Sequence, residues 1–239
     1  MKLLPFSLAT LAVMLSLHAQ DAAKPAANLA IKAEVHGGTE GRINSFNEIS
    51  KKGEAQLVFL GDSITQGWDG AGKAAWNTWA DYKPANFGIG GDRTEHILWR
   101  LDHGNFDGLK PKLVVLMIGT NNTGHRKAAE PAADTAAGVK AILDKLHTKL
   151  PDTKVLLLGI FPRGEKSTDK LRVHNAAIND LLKPLADGKS ITFMDIGTTF
   201  LQPDGTLSKD IMPDLLHLSP KGYELWASAI KDKVADLMK

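Results

Sequence analysis

Five short apolar runs constrain this chain more than any other feature: residues 55–60, 85–89, 113–118, 155–160 and 191–196, each followed by polar or Gly/Pro residues and then a helical stretch. Their hydrophobicity is continuous rather than alternating, which implies burial on both faces, as in a parallel sheet sandwiched between helices. The expected fold is therefore α/β, with a five-stranded parallel sheet. Ahead of the first run, Ile43, Phe46 and Ile49 recur at helical spacing and Gly53 supplies a stop. In such sheets ligands bind beyond the carboxyl ends of the strands, so chemistry is sought in the residues just after each run.

Composition narrows the options. The 239 residues are 43% hydrophobic and 23% charged, a globular balance, and a net charge of +2 is too small for the basic footprint that a phosphate backbone requires. No nucleic-acid partner is expected. The chain has no cysteine, which removes disulfides, thiolate nucleophiles and Cys-ligated zinc.

The amino terminus reads as an address. Lys2 precedes an uncharged apolar run from Leu3 to Leu17, shorter than the ~20 residues that a bilayer span needs, and Ala19 offers a small residue for cleavage before Gln20. Residues 1–19 are expected to be a cleavable signal peptide that sends the protein to the periplasm or outside the cell, with no membrane span left after its removal. Residues 20–36, with Lys24-Pro25 among alanines, read as a mobile linker, and residues 37–239 as one domain.

Four segments after the expected strands carry the polar residues. Gly61-Asp62-Ser63-Ile64 places a serine at a strand-to-helix turn, as a nucleophile or a helix cap. Gly88-Ile89-Gly90-Gly91-Asp92-Arg93 would let backbone N–H groups approach a ligand, but Arg93 breaks the dinucleotide-binding spacing. In Gly119-Thr120-Asn121-Asn122, one amide can face the cleft as a donor while the other fixes the loop by local Asx bonding, or both can be turn residues. Asp214-Leu215-Leu216-His217 precedes a final amphipathic helix capped by Ser219 with Pro220 in its first turn. A carboxylate three residues before an imidazole can orient it as a general base toward a serine.

The remaining histidines have plainer readings. His36 falls in the linker, His103 ends a helix, and His147 and His174 lack acidic or histidine partners at ligand spacing. His96 reads as core and His125 as a solvated loop residue. No metal site is indicated.

Taken together, Gly61-Asp62-Ser63, Asn86-Phe87-Gly88-Ile89-Gly90-Gly91-Asp92, Gly119-Thr120-Asn121-Asn122 and Asp214-x-x-His217 resemble the signature blocks of the SGNH (GDSL-type) serine hydrolases. The resemblance is closest to the catalytic subunits of the platelet-activating-factor acetylhydrolases. It runs on through the His96-x-Leu98-Trp99-Arg100-Leu101 stretch, the Pro162-Arg163-Gly164 turn and Gly222-Tyr223.

It implies a three-layer, flavodoxin-like sandwich and hydrolysis of an ester through an acyl-enzyme, with no metal or organic cofactor. Ser63 would be the nucleophile, His217 the base and then acid, and Asp214 its orienter. The Ser63 and Gly91 backbone N–H groups and the Asn121 amide would form the oxyanion hole. It also implies a homodimer. Ile64, Thr120 and Leu216 flank these groups in sequence and are expected to close a small acyl pocket. For an exported member the resemblance implies removal of acyl groups from sugars or polysaccharides, so the expected substrate is an acetyl ester of a small molecule or glycan. Two other readings remain: a lysophospholipase or thioesterase for longer acyl chains, and an idle SGNH-like module that binds glycans or proteins through Trp68, Trp76 and Trp79.

Overall fold

A computed structural model describes residues 27–124 and 130–239; the expected signal peptide and His125 lie outside the described residues. The five runs are the strands β1 (Leu57–Gly61), β2 (Pro84–Gly88), β3 (Leu113–Met117), β4 (Lys154–Leu158) and β5 (Ile191–Met194). All pair in parallel, in the order β2-β1-β3-β4-β5.

Successive residues of a strand face opposite layers, and the core divides accordingly. Val58, Leu60, Val114, Leu116, Val155 and Leu157 face one helical layer. It is built from α1 (Glu40–Lys52), α3 (Thr94–Asp102), α5 (Ala132–Lys149) and α6 (Lys170–Leu182). Leu57, Phe59, Val115, Met117, Leu156 and Leu158 face α7 (Pro220–Leu237) and an aromatic cluster. In that cluster Trp68, Trp79 and Trp226 surround Phe59. Trp68 and Trp79 are 1% and 0% exposed, so they pack the core and offer no stacking surface, while Trp76 is half-buried against them.

Local chemistry sets the boundaries as expected. α1 ends where Gly53 turns left-handed at φ 68° and its N–H bonds the Ser50 carbonyl. α7 begins at Pro220 behind Ser219, whose hydroxyl accepts from the Gly222 N–H.

The segment expected to be a mobile linker is instead docked over residues 28–36. Asn28 caps a short 3₁₀ turn, Leu29–Ile31, in which Ala30 is buried. The Thr94 hydroxyl donates to the Ala30 carbonyl at 2.8 Å, and the Glu34 N–H bonds the Glu95 carbonyl at 3.1 Å. Low apolar periodicity misleads here, because the strap is held by polar contacts, one backbone bond to α3 and side-chain bonds from Thr94 of α3 and to the Asp134 carbonyl of α5, for which apolar patterns give no signal.

Candidate active site

The sheet register brings the functional loops together. Gly61, the last residue of β1, pairs with Gly88 of β2 and Met117 of β3. The segments carrying Ser63, Gly91 and Asn121 therefore leave adjacent strands at the same end. That end, around β1 where the strand order reverses direction, is where a doubly wound sheet opens a crevice.

Ser63 starts the short helix α2 (Ser63–Gln66) but does not cap it: Asp62 does, accepting the Ile64 N–H at 3.0 Å. The serine side chain is thus free of capping duty, and its Oγ lies 2.8 Å from His217 Nε2. His217 Nδ1 lies 2.6 Å from Asp214 Oδ2. Asp214 Oδ1 accepts the Leu216 and His217 N–H groups at 3.0 and 2.7 Å, so one carboxylate fixes both the loop and the ring. An ionised carboxylate can only accept, which leaves the proton on Nδ1 and a bare Nε2 toward Ser63. Partial burial raises the Asp214 pKa, but the imidazole and backbone hydrogen bonds outweigh it and hold the carboxyl below its ordinary value.

The loop bearing this pair is clasped from both sides. The Leu215 carbonyl accepts the Gly164 N–H, and the Ser219 hydroxyl donates to the Asp210 carbonyl. Leu215 itself is held at φ 60°. From α7, the Tyr223 hydroxyl donates to the Ile64 carbonyl at 2.6 Å, tying the helix behind His217 to the helix that starts at Ser63. Burial, with the charges of Asp62 and Asp69, raises the pKa of that phenol, so it remains a donor.

The expected oxyanion donors are held with comparable care. A Cβ on Gly88 would come within 2.2 Å of the Gln66 backbone nitrogen, so only glycine lets α2 lie on β2. The Gln66 side-chain carbonyl accepts the Gly90 N–H at 2.6 Å, and Gly91 takes φ 77°, a conformation open to glycine. In the short helix α4 (Thr120–Gly124), Asn121 Nδ2 donates one hydrogen to the Asp92 carbonyl at 2.9 Å, leaving the other available to a ligand.

Asn122 does not bond locally, as the Asx reading expected. Its carbonyl accepts the Thr94 N–H, while its NH₂ reaches Thr94 Oγ1, Glu95 and Glu130. It joins loops far apart in sequence, a role that spacing alone does not reveal.

The three expected acyl-pocket residues separate. Ile64 and Thr120 are each 1% exposed, and the Thr120 hydroxyl oxygen accepts from Arg163 and Asn175. Leu216 is half-buried and lines a cavity of about 380 Å³ with Arg163, Asp214 and Leu215, a lining without Ile64 or Thr120. On its other side, Ser63 opens onto a groove of about 510 Å³ lined by Arg42, Gln66, Gly67, Asp69 and Gly70.

The sequence alone assigns no functional role to Gln66, Arg100, Tyr223 or His36. Arg100, 1% exposed, donates to Asp92, Asn105 and the carbonyls of Gly61 and Phe87, bracing the ends of β1 and β2. Its place in the His-x-Leu-Trp-Arg-Leu stretch was the only signal. Burial lowers its pKa while Asp92 opposes the shift.

Donor atoms of His36, Asp92 and His96 lie within 4.8 Å of one another, a spacing a metal ion could use. Here the Asp92 carboxylate already accepts from His36 and Arg100, and Arg93 faces His96 Nε2 at 3.0 Å. The guanidinium charges disfavour a cation, so the cluster reads as a hydrogen-bond network.

A serine, imidazole and carboxylate in hydrogen-bonded series at the carboxyl edge of a parallel sheet is the arrangement of nucleophilic acyl transfer. Comparison with known proteins agrees: residues 59–225 match the GDSL-like Lipase/Acylhydrolase family, and the chain belongs to it. It is 36% identical over 201 residues to platelet-activating factor acetylhydrolase IB subunit alpha2 of Rattus norvegicus, covering 82% of this chain and 83% of that protein. It is 39% identical over 176 residues to the alpha1 subunit of Homo sapiens, covering 73% of each. Its fold is similar to that of an acetylxylan esterase from Geobacillus stearothermophilus, with a TM-score of 0.60 at 18% identity over 76% of this chain and 94% of that one.

Proposed function

We propose that this acylhydrolase is an exported serine esterase that removes short acyl groups, acetyl first among them, from small-molecule or carbohydrate alcohols. The observation that carries the reading is the series Ser63 Oγ, His217 Nε2, His217 Nδ1 and Asp214 Oδ2, joined at 2.8 and 2.6 Å. Ser63 Oγ attacks the ester carbonyl carbon as His217 Nε2 takes its proton, and Asp214 stabilises the imidazolium. The oxyanion meets the Ser63 and Gly91 N–H groups and the free hydrogen of Asn121. Collapse returns the proton from His217 to the departing alcohol. Water, deprotonated by the same nitrogen, then releases the acid and restores Ser63.

An acetyl group is supported by the relatives, whose names record an acetylhydrolase. A polar alcohol is supported by the groove beside Ser63, walled by the Arg42–Asp69 ion pair at 2.6 Å with Asn86 on the same carboxylate at 2.9 Å. The relatives' names favour a second reading, in which the alcohol is a glycerophospholipid.

The test is a comparison of kcat/KM for acetylated xylo-oligosaccharides and for an acetyl glycerophospholipid. Preference for the sugar ester supports the proposal; preference for the lipid installs the second reading. Export with cleavage is tested by cell fractionation and intact mass: a chain beginning at Gln20 outside the cytoplasm is expected, and a chain with intact Met1 confined to the cytoplasm overturns it.

A further inference from the structure

We infer that His36, delivered by the docked strap ahead of the family-matched segment, is a positioning residue for the oxyanion hole. The inference rests on the reading that Gly91 and Asn121 are oxyanion donors. His36 lies outside residues 59–225, the stretch matched to the family, yet it is fixed against the loop that carries Gly91 and Asp92. Its Nδ1 lies 2.8 Å from Asp92 Oδ1, its carbonyl accepts the Thr39 hydroxyl at 2.6 Å, and its ring stacks on His96 at 4.4 Å. The ring also closes over Gly91: a Cβ placed there would come within 3.2 Å of His36 Cε1.

Asp92 is the hub through which His36 acts. Its side chain is 0% exposed, with Oδ2 held by the Arg100 guanidinium at 2.9–3.0 Å and Oδ1 by His36. Its backbone N–H closes the turn to Ile89 at 3.1 Å, and its carbonyl accepts the hydrogen bond that orients Asn121. The residue before it is Gly91. One residue therefore connects the two sides of the hole through its backbone, and His36 is the tether of its side chain from outside. Without that tether, the half of the buried carboxylate facing His36 loses its donor, and the residue is held from outside the loop by Arg100 alone. A hydrogen-bond donor displaced by even ~1 Å loses much of its transition-state stabilisation.

The chemistry assigns the contact to Nδ1 alone. The carboxylate accepts, so Nδ1 carries the proton, and the amide nitrogen of an asparagine occupies nearly the same place as Nδ1, whereas that of a glutamine falls nearer Nε2. The substitutions His36→Ala, His36→Asn and His36→Gln thus separate positioning from direct contact with substrate.

The experiment measures kcat, KM and Tm on p-nitrophenyl acetate for the full chain and these variants, with Asn121→Ala and the His36→Ala/Asn121→Ala double variant alongside. His36→Ala is expected to lower kcat about 10- to 100-fold with KM within about twofold. His36→Asn should recover kcat to within about threefold of wild type and His36→Gln should not. The double variant should lose less than the product of the single losses, because both act on one hole.

A His36→Ala protein with lower Tm but unchanged kcat would overturn the inference and leave the histidine as an anchor of the strap. Rescue by glutamine rather than asparagine would overturn it in favour of a substrate contact. If Asn121→Ala itself leaves kcat unchanged, the oxyanion assignment fails; if Asn121→Ala lowers kcat while His36→Ala does not, only the role of His36 fails.

Discussion

Asp62, the residue before the nucleophile, makes the stability of this protein depend on pH in a direction opposite to that of most carboxylates. It is 0% exposed, its Oδ1 accepts the Ile64 N–H, and its Oδ2 has no hydrogen-bond partner among the described residues. Burial pushes its pKa from 3.8 up to about 7, against the Ile64 hydrogen bond and with help from the charge of Asp92. Because the folded-state value is raised, the stabilising contribution is fully present below the unfolded value and is lost as pH climbs through the folded one. At 1.36 kcal/mol per pH unit, the loss is about 4 kcal/mol between pH 4 and 8, with little further change above.

Asp62→Asn keeps the capping oxygen and cannot ionise. Urea unfolding of the wild type and of Asp62→Asn from pH 4 to 9 reads the effect. The difference between them should move by several kcal/mol in favour of asparagine as pH rises from 4 to 8, then level off. The absolute offset is uninformative, because the new NH₂ is itself buried without an acceptor, at a cost of about 1–3 kcal/mol at every pH. Parallel stability profiles across that range would refute the reasoning.

Other changes probe the scaffold of the site. Asn121→Ala should reduce kcat by about 10²–10³ with little change in KM, measured on p-nitrophenyl acetate; a rise confined to KM would make Asn121 a ground-state binder. Tyr223→Phe leaves the buried Ile64 carbonyl without its donor and should cost about 1–3 kcal/mol in denaturant unfolding, together with a loss of kcat from the loosened nucleophile helix. Arg100→Met should cost at least ~3 kcal/mol, since it strands the buried Asp92 carboxylate; a variant as stable as wild type would show that His36 alone satisfies Asp92.

Much of this architecture was legible because one physical signal dominates it. Continuous apolar runs mark strands buried on both faces, and the five runs became the five parallel strands within two residues at either end. The serine stood out because it follows directly on the first strand, and the aspartate and histidine, well beyond β5, because a carboxylate three residues before an imidazole at the entry to a helix is the spacing of a base and its orienter.

What stayed hidden is held by long-range polar contacts. Tyr223 reaches Ile64 across 159 positions and His36 reaches Asp92 across 56, and no local periodicity encodes either partner. The strap reads as a linker for the same reason, since it is held by long-range polar contacts to α3, α5 and Asp92. The expected acyl pocket shows a different limit. Adjacency in sequence placed Ile64 and Thr120 beside the site but said nothing of which way they face, and both are buried.

The central claim is that Ser63, driven by His217, carries out short-chain ester hydrolysis. Its most direct test is hydrolysis of p-nitrophenyl esters from acetate to octanoate by the wild type and by Ser63→Ala. The account predicts turnover of acetate that falls steeply with chain length and is absent from a folded Ser63→Ala protein. A flat or rising series would contradict the short-chain assignment, and activity retained by Ser63→Ala, or its absence from the folded wild type, would contradict the claim itself.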